Sequence, residues 1–170
     1  WLSERLTSLG LEVTEQRTVD DDTPRIVEVL RALGDRPRFV LVTGGLGPTS
    51  DDLTTAAAAE ALGVRLFRDQ ASIEAIERRF ATIGRSMTPS NAKQADFPEG
   101  ATVLSNPIGT APGFALTIGR ARFFFMPGVP AEMRRLYGDH VEPAIAPQVE
   151  RRSHQVRLRT FGMAESAIGE

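Results

Sequence analysis

The chain has 170 residues, 41% of them hydrophobic and 25% charged, a globular composition at the length of one domain with room for a small appendage. Twenty Lys and Arg against 22 Asp and Glu leave a net charge of −2, so no overall positive field gathers nucleic acid or an anionic membrane. Cysteine is absent, which excludes a disulfide framework and a thiolate metal site and fits a reducing compartment; the longest strongly apolar run, Phe123 to Met126, falls far below the roughly 18 residues of a membrane span.

Trp1 opens directly into a helical pattern, with Leu2, Leu6 and Leu9 on one face and Gly10 as its stop. With no initiator Met, the chain reads as a fragment. Leu11 to Val19 alternates in part, and the acidic turn after it leads to a second helix, for which Thr23 is the expected N-cap and Pro24 the first helical residue. Ile26, Leu30 and Leu33 give that helix its apolar face and Gly34 ends it. Arg38 to Val42 is a short continuous apolar run, the pattern of a central strand covered on both faces. Thr54 to Leu62 is Ala-rich and helical with Gly63 as its stop; a fourth helix starts near Gln70, with Ile73, Ile76, Phe80 and Ile83 on one face and Gly84 at its end.

Beyond this point the pattern changes to short strands and turns. Thr102 to Leu104 is a strand candidate, and Phe114 to Ile118 with Arg122 to Met126 forms a hairpin about Gly119-Arg120. Pro130 opens a helix containing Met133, Leu136 and Tyr137. The alternation of helix and strand predicts an α/β domain, mainly parallel, with one antiparallel excursion. Residues 1–150 are expected to form the domain. Pro143 to Ser153 reads as a linker and His154 to Thr160 as a further strand, so that 151–170 holds the linker and the start of a second small domain.

The strongest chemical signal is Val42 to Asp52, VTGGLGPTSDD, placed between an apolar strand and a helix. Glycines let the backbone approach a ligand, and free N–H groups beyond a strand's C-terminal end make an anion site. Asp51 and Asp52 would repel a bare phosphate unless a divalent cation lies between, so a metal-bridged phosphate is the more plausible ligand. The same residues also read as a helix start, with Thr49 as cap and Asp52 three residues on.

Asn91-Ala92-Lys93-Gln94 offers a mobile cation and amides suited to phosphate, base or ribose, although by composition it is an ordinary polar loop. Asn106 to Gly113 is a stiff loop with the Thr110 hydroxyl, and Met126 to Pro130 repeats the order strand, glycine turn, helix; each reads equally as turn chemistry. His140 and His154 lack partners at metal-ligand spacing and are read as surface or structural, and Arg157 and Arg159 as a solvated strand face. No Gly-x-Ser-x-Gly, Cys nucleophile, Walker or dinucleotide fingerprint is present.

Five segments in order, GGLGPTSDD, NAKQADFPEGATVL, NPIGTAPGF, MPGVPAEM and FGMAESAIGE, together resemble the N-terminal half of the competence/damage-inducible protein A (CinA) family, a branch of the molybdopterin-binding domain superfamily. The resemblance implies a three-layer α/β/α fold and a bacterial, cytoplasmic homo-oligomer, a dimer. It also implies hydrolysis of a nucleoside diphosphate sugar, ADP-ribose, to AMP and ribose 5-phosphate with Mg, Mn or Co. By the same resemblance Asp52 matches the acidic position at the reacting phosphate; with the charge argument above, Asp51 and Asp52 are expected to hold the metal, Asp52 as metal ligand or base, and Asp52, Asp51 and Lys93 to carry the chemistry. Gly44, Gly45, Gly47, Thr49, Asn91, Gln94, Gly109, Thr110, Gly128 and Pro130 bind the substrate. Leu46 departs from the Gly-Gly-Thr-Gly of the molybdopterin adenylyltransferases, which favours the CinA branch. Two other readings stay open: molybdopterin handling with adenylyl transfer, and a non-catalytic binding or oligomerisation module.

Overall fold

The computed structural model describes residues 1–36, 39–149 and 161–162. The chain divides into two compact units, one of residues 17–145 and one of 1–16 with 146–170. In the smaller unit, helix α1 (Leu2–Ser8) is closed by main-chain bonds from Gly10 to Thr7 and from Leu11 to Leu6, as the glycine stop requires. A single 3₁₀ turn, Ala146–Gln148, lies in the same unit. The expected strand at 154–160, with His154, Arg157 and Arg159, falls outside the described residues, as do the end of the expected linker and most of the closing motif.

The larger unit contains α2 (Thr23–Gly34), β1 (Phe39–Thr43), α3 (Thr54–Leu62), β2 (Leu66–Arg68) and α4 (Gln70–Thr82). A 3₁₀ segment (Pro89–Ala95), β3 (Asp96–Pro98), β4 (Thr102–Leu104), β5 (Gly113–Ile118) and β6 (Ala121–Met126) follow, then α5 (Pro130–Leu136), a π turn (Tyr137–Val141) and α6 (Glu142–Ile145). Asp22, not Thr23, caps α2: its carboxylate accepts the Arg25 amide at 2.9 Å, and Thr23 is already helical. Leu11 to Val19 forms no strand. Helix α4 stops at Thr82, so Ile83 leaves its apolar face and is exposed.

The main sheet has the order β1-β6-β5-β4. Only β1 and β6 run parallel, while β6-β5 and β5-β4 are antiparallel; the sheet is mixed, with more antiparallel pairing than expected. The apolar run of β1 is at the edge of this sheet instead of its centre. The two inner strands are β6 and β5, and Phe123-Phe124-Phe125-Met126 of β6 is buried on both faces. In β1 only Val40 is buried, so its apolar run reports neither burial on both faces nor neighbour order, which the β5-β6 hairpin sets by inserting beside β1.

Strand alternation sorts the core into two faces. Phe114, Leu116, Ile118, Phe123, Phe125 and Val40 point to one side, where they join Leu30 of α2, Ala58 of α3 and Phe97 of β3 in a buried cluster. Phe114 stacks on Phe125 with centroids 4.4 Å apart, and Phe97 meets Phe114 edge-on at 5.9 Å. On the opposite side Ala115, Phe124 and Met126 are buried, and a Cβ built on Gly113 would lie 2.7 Å from Leu136 of α5. Helices thus cover both faces, the three-layer α/β/α arrangement. The β2-β3 ribbon, not anticipated, is tied by a two-pronged Arg68-Asp96 pair at 2.8 Å for each prong.

Candidate functional site

Strands β1, β6 and β4 run the same way, so the segments leaving their C-terminal ends emerge at one end of the sheet together with the start of β5. These are the glycine turn 44–52, the 105–112 loop and the 127–130 turn. Ligands of open α/β sheets bind at such an end. The glycine turn begins with Gly44 (φ 94°) and Gly45 (φ 71°), conformations open to glycine at little strain. The Gly44 amide donates to the Met126 carbonyl at 2.9 Å, which joins this turn to the 127–130 turn.

Asp52 lies two residues ahead of α3, whose N-cap is Leu53. Thr49 therefore caps no helix. Its amide (2.9 Å) and its hydroxyl both donate to Asp52 Oδ2, and a Cβ at Gly47 would collide with the same carboxylate. Partial desolvation pushes the Asp52 pKa upward. The Thr49 hydroxyl, the Thr49 and Gly47 amides and the Lys93 charge outweigh it and hold the group below the ordinary 3.8. Asp52 is thus an ionised carboxylate locked into the turn. Asp51 beside it is exposed.

Lys93 joins the second segment to the first. Its ammonium donates to the carbonyls of Thr49 at 2.7 Å and Asp52 at 2.6 Å. Gln94, next in sequence and buried, donates from Nε2 to the Thr110 hydroxyl at 3.2 Å, which brings in the third segment. Asn91 is turned to other work: its Oδ1 accepts from the amide and hydroxyl of Thr88, fixing the start of the 3₁₀ segment. Gly109 and Thr110 are half-buried in their loop, and Gly128 and Pro130 are exposed at the fourth turn, Pro130 as the first residue of α5.

Sequence reasoning missed Glu132. Its carboxylate accepts from Asn106 Nδ2 at 2.7 Å, while Asn106 Oδ1 accepts the amides of Ile108 at 3.2 Å and Gly109 at 3.0 Å. The fourth turn thereby holds the shape of the third. The only available signal was an acidic residue in the first turn of a helix begun by Pro130, which ordinary macrodipole complementation also explains. His140, read as structural, places Nε2 3.0 Å from the Ser105 carbonyl.

Among the described residues no three His, Cys, Asp or Glu side chains gather to hold a metal ion. Two adjacent carboxylates, one exposed and one ionised, are the short protein donor set that Mg²⁺ uses when phosphate oxygens and water complete its shell. Asp51 and Asp52 do not form a closed protein cage, and Asp52 Oδ2 is already engaged by Thr49, so a cation here would need donors from a ligand and from water.

The chain matches, over residues 1–147, the family described as "Probable molybdopterin binding domain". It is 43% identical over 166 residues, 98% of its length, to a CinA-like protein of Anaeromyxobacter sp. (strain Fw109-5), of which the match covers 40%. To a CinA-like protein of Escherichia coli O17:K52:H18 it is 40% identical over 100% of its own length and 43% of that protein. Among solved structures, the protein CinA with unknown function from Thermoplasma acidophilum superposes with a TM-score of 0.76 at 31% identity, covering 84% of this chain and 83% of that one. A molybdopterin biosynthesis protein from Mycobacterium abscessus shares the fold at a TM-score of 0.51 and 20% identity, covering 86% and 80%. The chain belongs to the molybdopterin binding domain family, in its CinA branch, as the five sequence segments imply. It spans about two fifths of the length of the curated relatives it matches. Among the described residues no helix is long and apolar enough to cross a membrane.

Proposed function

We propose that the loop cluster binds a phosphate-bearing ligand of the molybdopterin type, with the phosphate at the glycine turn. The observation that carries this reading is the position of Lys93, whose ammonium bridges two carbonyls of that turn. An ammonium has three donors. Two shape the turn and the third can meet a phosphate oxygen without dismantling it. The glycine backbone gives a ligand close access, and Gln94 with Thr110 supplies polar contacts further along. Calorimetric titration with inorganic pyrophosphate tests the reading: binding that weakens in Lys93→Met supports it, and no binding by the folded protein refutes it.

A second reading, metal-dependent hydrolysis of a nucleoside diphosphate sugar such as ADP-ribose to AMP and ribose 5-phosphate, is favoured by the ionised Asp52 beside Asp51. A divalent cation held by these two carboxylates would neutralise diphosphate charge and act as a Lewis acid. Lys93 and the turn amides would take up charge developing on the non-bridging oxygens. Incubation of the intact protein with ADP-ribose and Mg, Mn or Co, followed by chromatographic detection of AMP, decides it; no AMP with any of the three metals ends this reading and leaves ligand binding alone. Action as a homodimer in the cytoplasm belongs to the same proposal, and sedimentation of the intact protein tests the dimer.

A further inference from the structure

The 105–112 loop is held in shape by side chains from three elements. Arg79 of α4 donates from Nη2 to the Ile108 carbonyl at 2.7 Å, and Gln94 of the 3₁₀ segment donates to the Thr110 hydroxyl at 3.2 Å. From the other side Glu132 of α5 acts through Asn106. The Asn106 amide donates from Nδ2 to the Glu132 carboxylate at 2.7 Å and to the Ala111 carbonyl at 2.9 Å, and its Oδ1 accepts the amides of Ile108 and Gly109.

An Asn side chain has two N–H donors and two acceptor lone pairs. All four are engaged here, so Asn106 shapes the loop and has no capacity left for a ligand. Its direction matters: turned over, it would set N–H against N–H and lose both loop amides. A carboxylate accepts and does not donate, so Glu132 admits the Nδ2 end of Asn106 and rejects the other. Gly109 completes the fit. A Cβ there would collide with the Glu132 carboxylate, so the close approach of that group to the loop requires a glycine.

We propose that Glu132 is a positioning residue of the ligand site, which through Asn106 holds the 105–112 loop, and with it Thr110, in the shape that receives the ligand beyond its phosphate. This rests on the proposed reading in which the phosphate lies at the glycine turn and Thr110 supplies a contact further along. Glu132 acts on the loop and not on the ligand. A loop ordered in advance spares binding the cost of ordering it.

Glu132→Gln and Glu132→Met separate this role from helix stabilisation. Both remove the same charge from the first turn of α5, but Gln keeps an oxygen that accepts from Asn106 and Met does not. The readouts are amide hydrogen exchange at Ile108 and Gly109, and calorimetric titration with pyrophosphate and with AMP, which extends past its phosphate. In Glu132→Met, exchange at both amides is expected to quicken about tenfold or more. AMP affinity is expected to fall about tenfold while pyrophosphate affinity stays within about twofold of wild type. Glu132→Gln is expected to remain within about threefold of wild type in every readout. Should Glu132→Met fail to fold, Gly109→Ala, which drives the carboxylate off the loop, is expected to reproduce the faster exchange at Ile108 and the loss of AMP. Unaltered exchange in Glu132→Met, undiminished AMP binding, equal losses of AMP and pyrophosphate, or a Gln variant as impaired as the Met variant overturns the proposal. So does a wild type that binds pyrophosphate and not AMP. A wild type that binds neither probe instead strikes the phosphate site, and the exchange at Ile108 and Gly109 still decides whether Glu132 holds the loop.

Discussion

The ammonium of Lys93 lies 2.6 Å from the main-chain carbonyl of Asp52, a residue 41 positions earlier, and the Asp52 carboxylate is meanwhile engaged by Thr49. The positive charge therefore closes the glycine turn through its backbone, and the negative charge is fixed within the turn.

Lys93→Met keeps most of the apolar stem and removes both carbonyl bonds. Hydrogen bonds to charged groups contribute about 1.5–3 kcal/mol when well buried; Lys93 is half-buried, so a loss of about 1–2 kcal/mol in total is expected by denaturant unfolding. Pyrophosphate affinity is expected to fall about tenfold, the equivalent of one charge-assisted hydrogen bond. An unchanged affinity would place the phosphate elsewhere.

Asp52→Asn separates charge from shape. The amide keeps one acceptor for Thr49 but cannot hold a cation, so the hydrolytic reading predicts AMP production from ADP-ribose by the wild type and none by the variant, while the fold survives. The pH dependence has a definite sign. The native pKa of Asp52 is depressed below 3.8, so the stabilisation is fully present above that value and is lost as pH falls through the lower native pKa. Acid titrations of wild type and Asp52→Asn, followed by circular dichroism, should converge below that range and diverge above it. A constant difference at every pH would mean that the charge plays no part.

Gly45→Ala should destabilise far more than Gly44→Ala. Both residues have positive φ, which strains an L side chain by about 1–2 kcal/mol. A Cβ at Gly45 would also collide with Thr54 Oγ1 at the buried start of α3, whereas a Cβ at Gly44 meets nothing within 4 Å. Thermal midpoints of the two variants decide this, and equal losses would argue against the packing described.

Much of this architecture was legible in the residues. The glycine stops after α1, α3 and α4, the Phe114-to-Met126 hairpin and the turn following Val42 all follow from local chemistry, which a single sequence displays; Gly34 is instead helical to the end of α2 and is small because a Cβ there would meet the Ile118 carbonyl at 2.9 Å. The position of β1 at the sheet edge was not legible, because Phe39 to Val42 is equally apolar wherever its neighbours lie. The β2-β3 ribbon was hidden by length: each strand has three residues, and Arg68 meets Asp96 only after α4 has intervened. At the site, the type of each candidate residue was readable but its direction was not. Asn91 and Gln94 are both amides in one segment, yet one turns to Thr88 and the other to Thr110. Glu132 stayed unseen because its partner Asn106 is 26 residues away.

Phe125→Ala tests the layered core independently of the site. The ring is fully buried and stacked on Phe114, so truncation should cost about 3–5 kcal/mol. A loss under about 1 kcal/mol, the size of an ordinary surface change, would contradict the burial of β6 as an inner strand.

The central claim, that the four segments form one connected ligand site with the phosphate at the glycine turn, is tested most directly by amide chemical-shift mapping as inorganic pyrophosphate is titrated into the isotope-labelled protein. The expected result is a single saturable set of shifts covering Gly44 to Asp52, Lys93 and Gln94, Gly109 and Thr110, and Gly128, with one common dissociation constant. Shifts confined to one of these segments, or a set centred away from the C-terminal ends of β1 and β6, would contradict it.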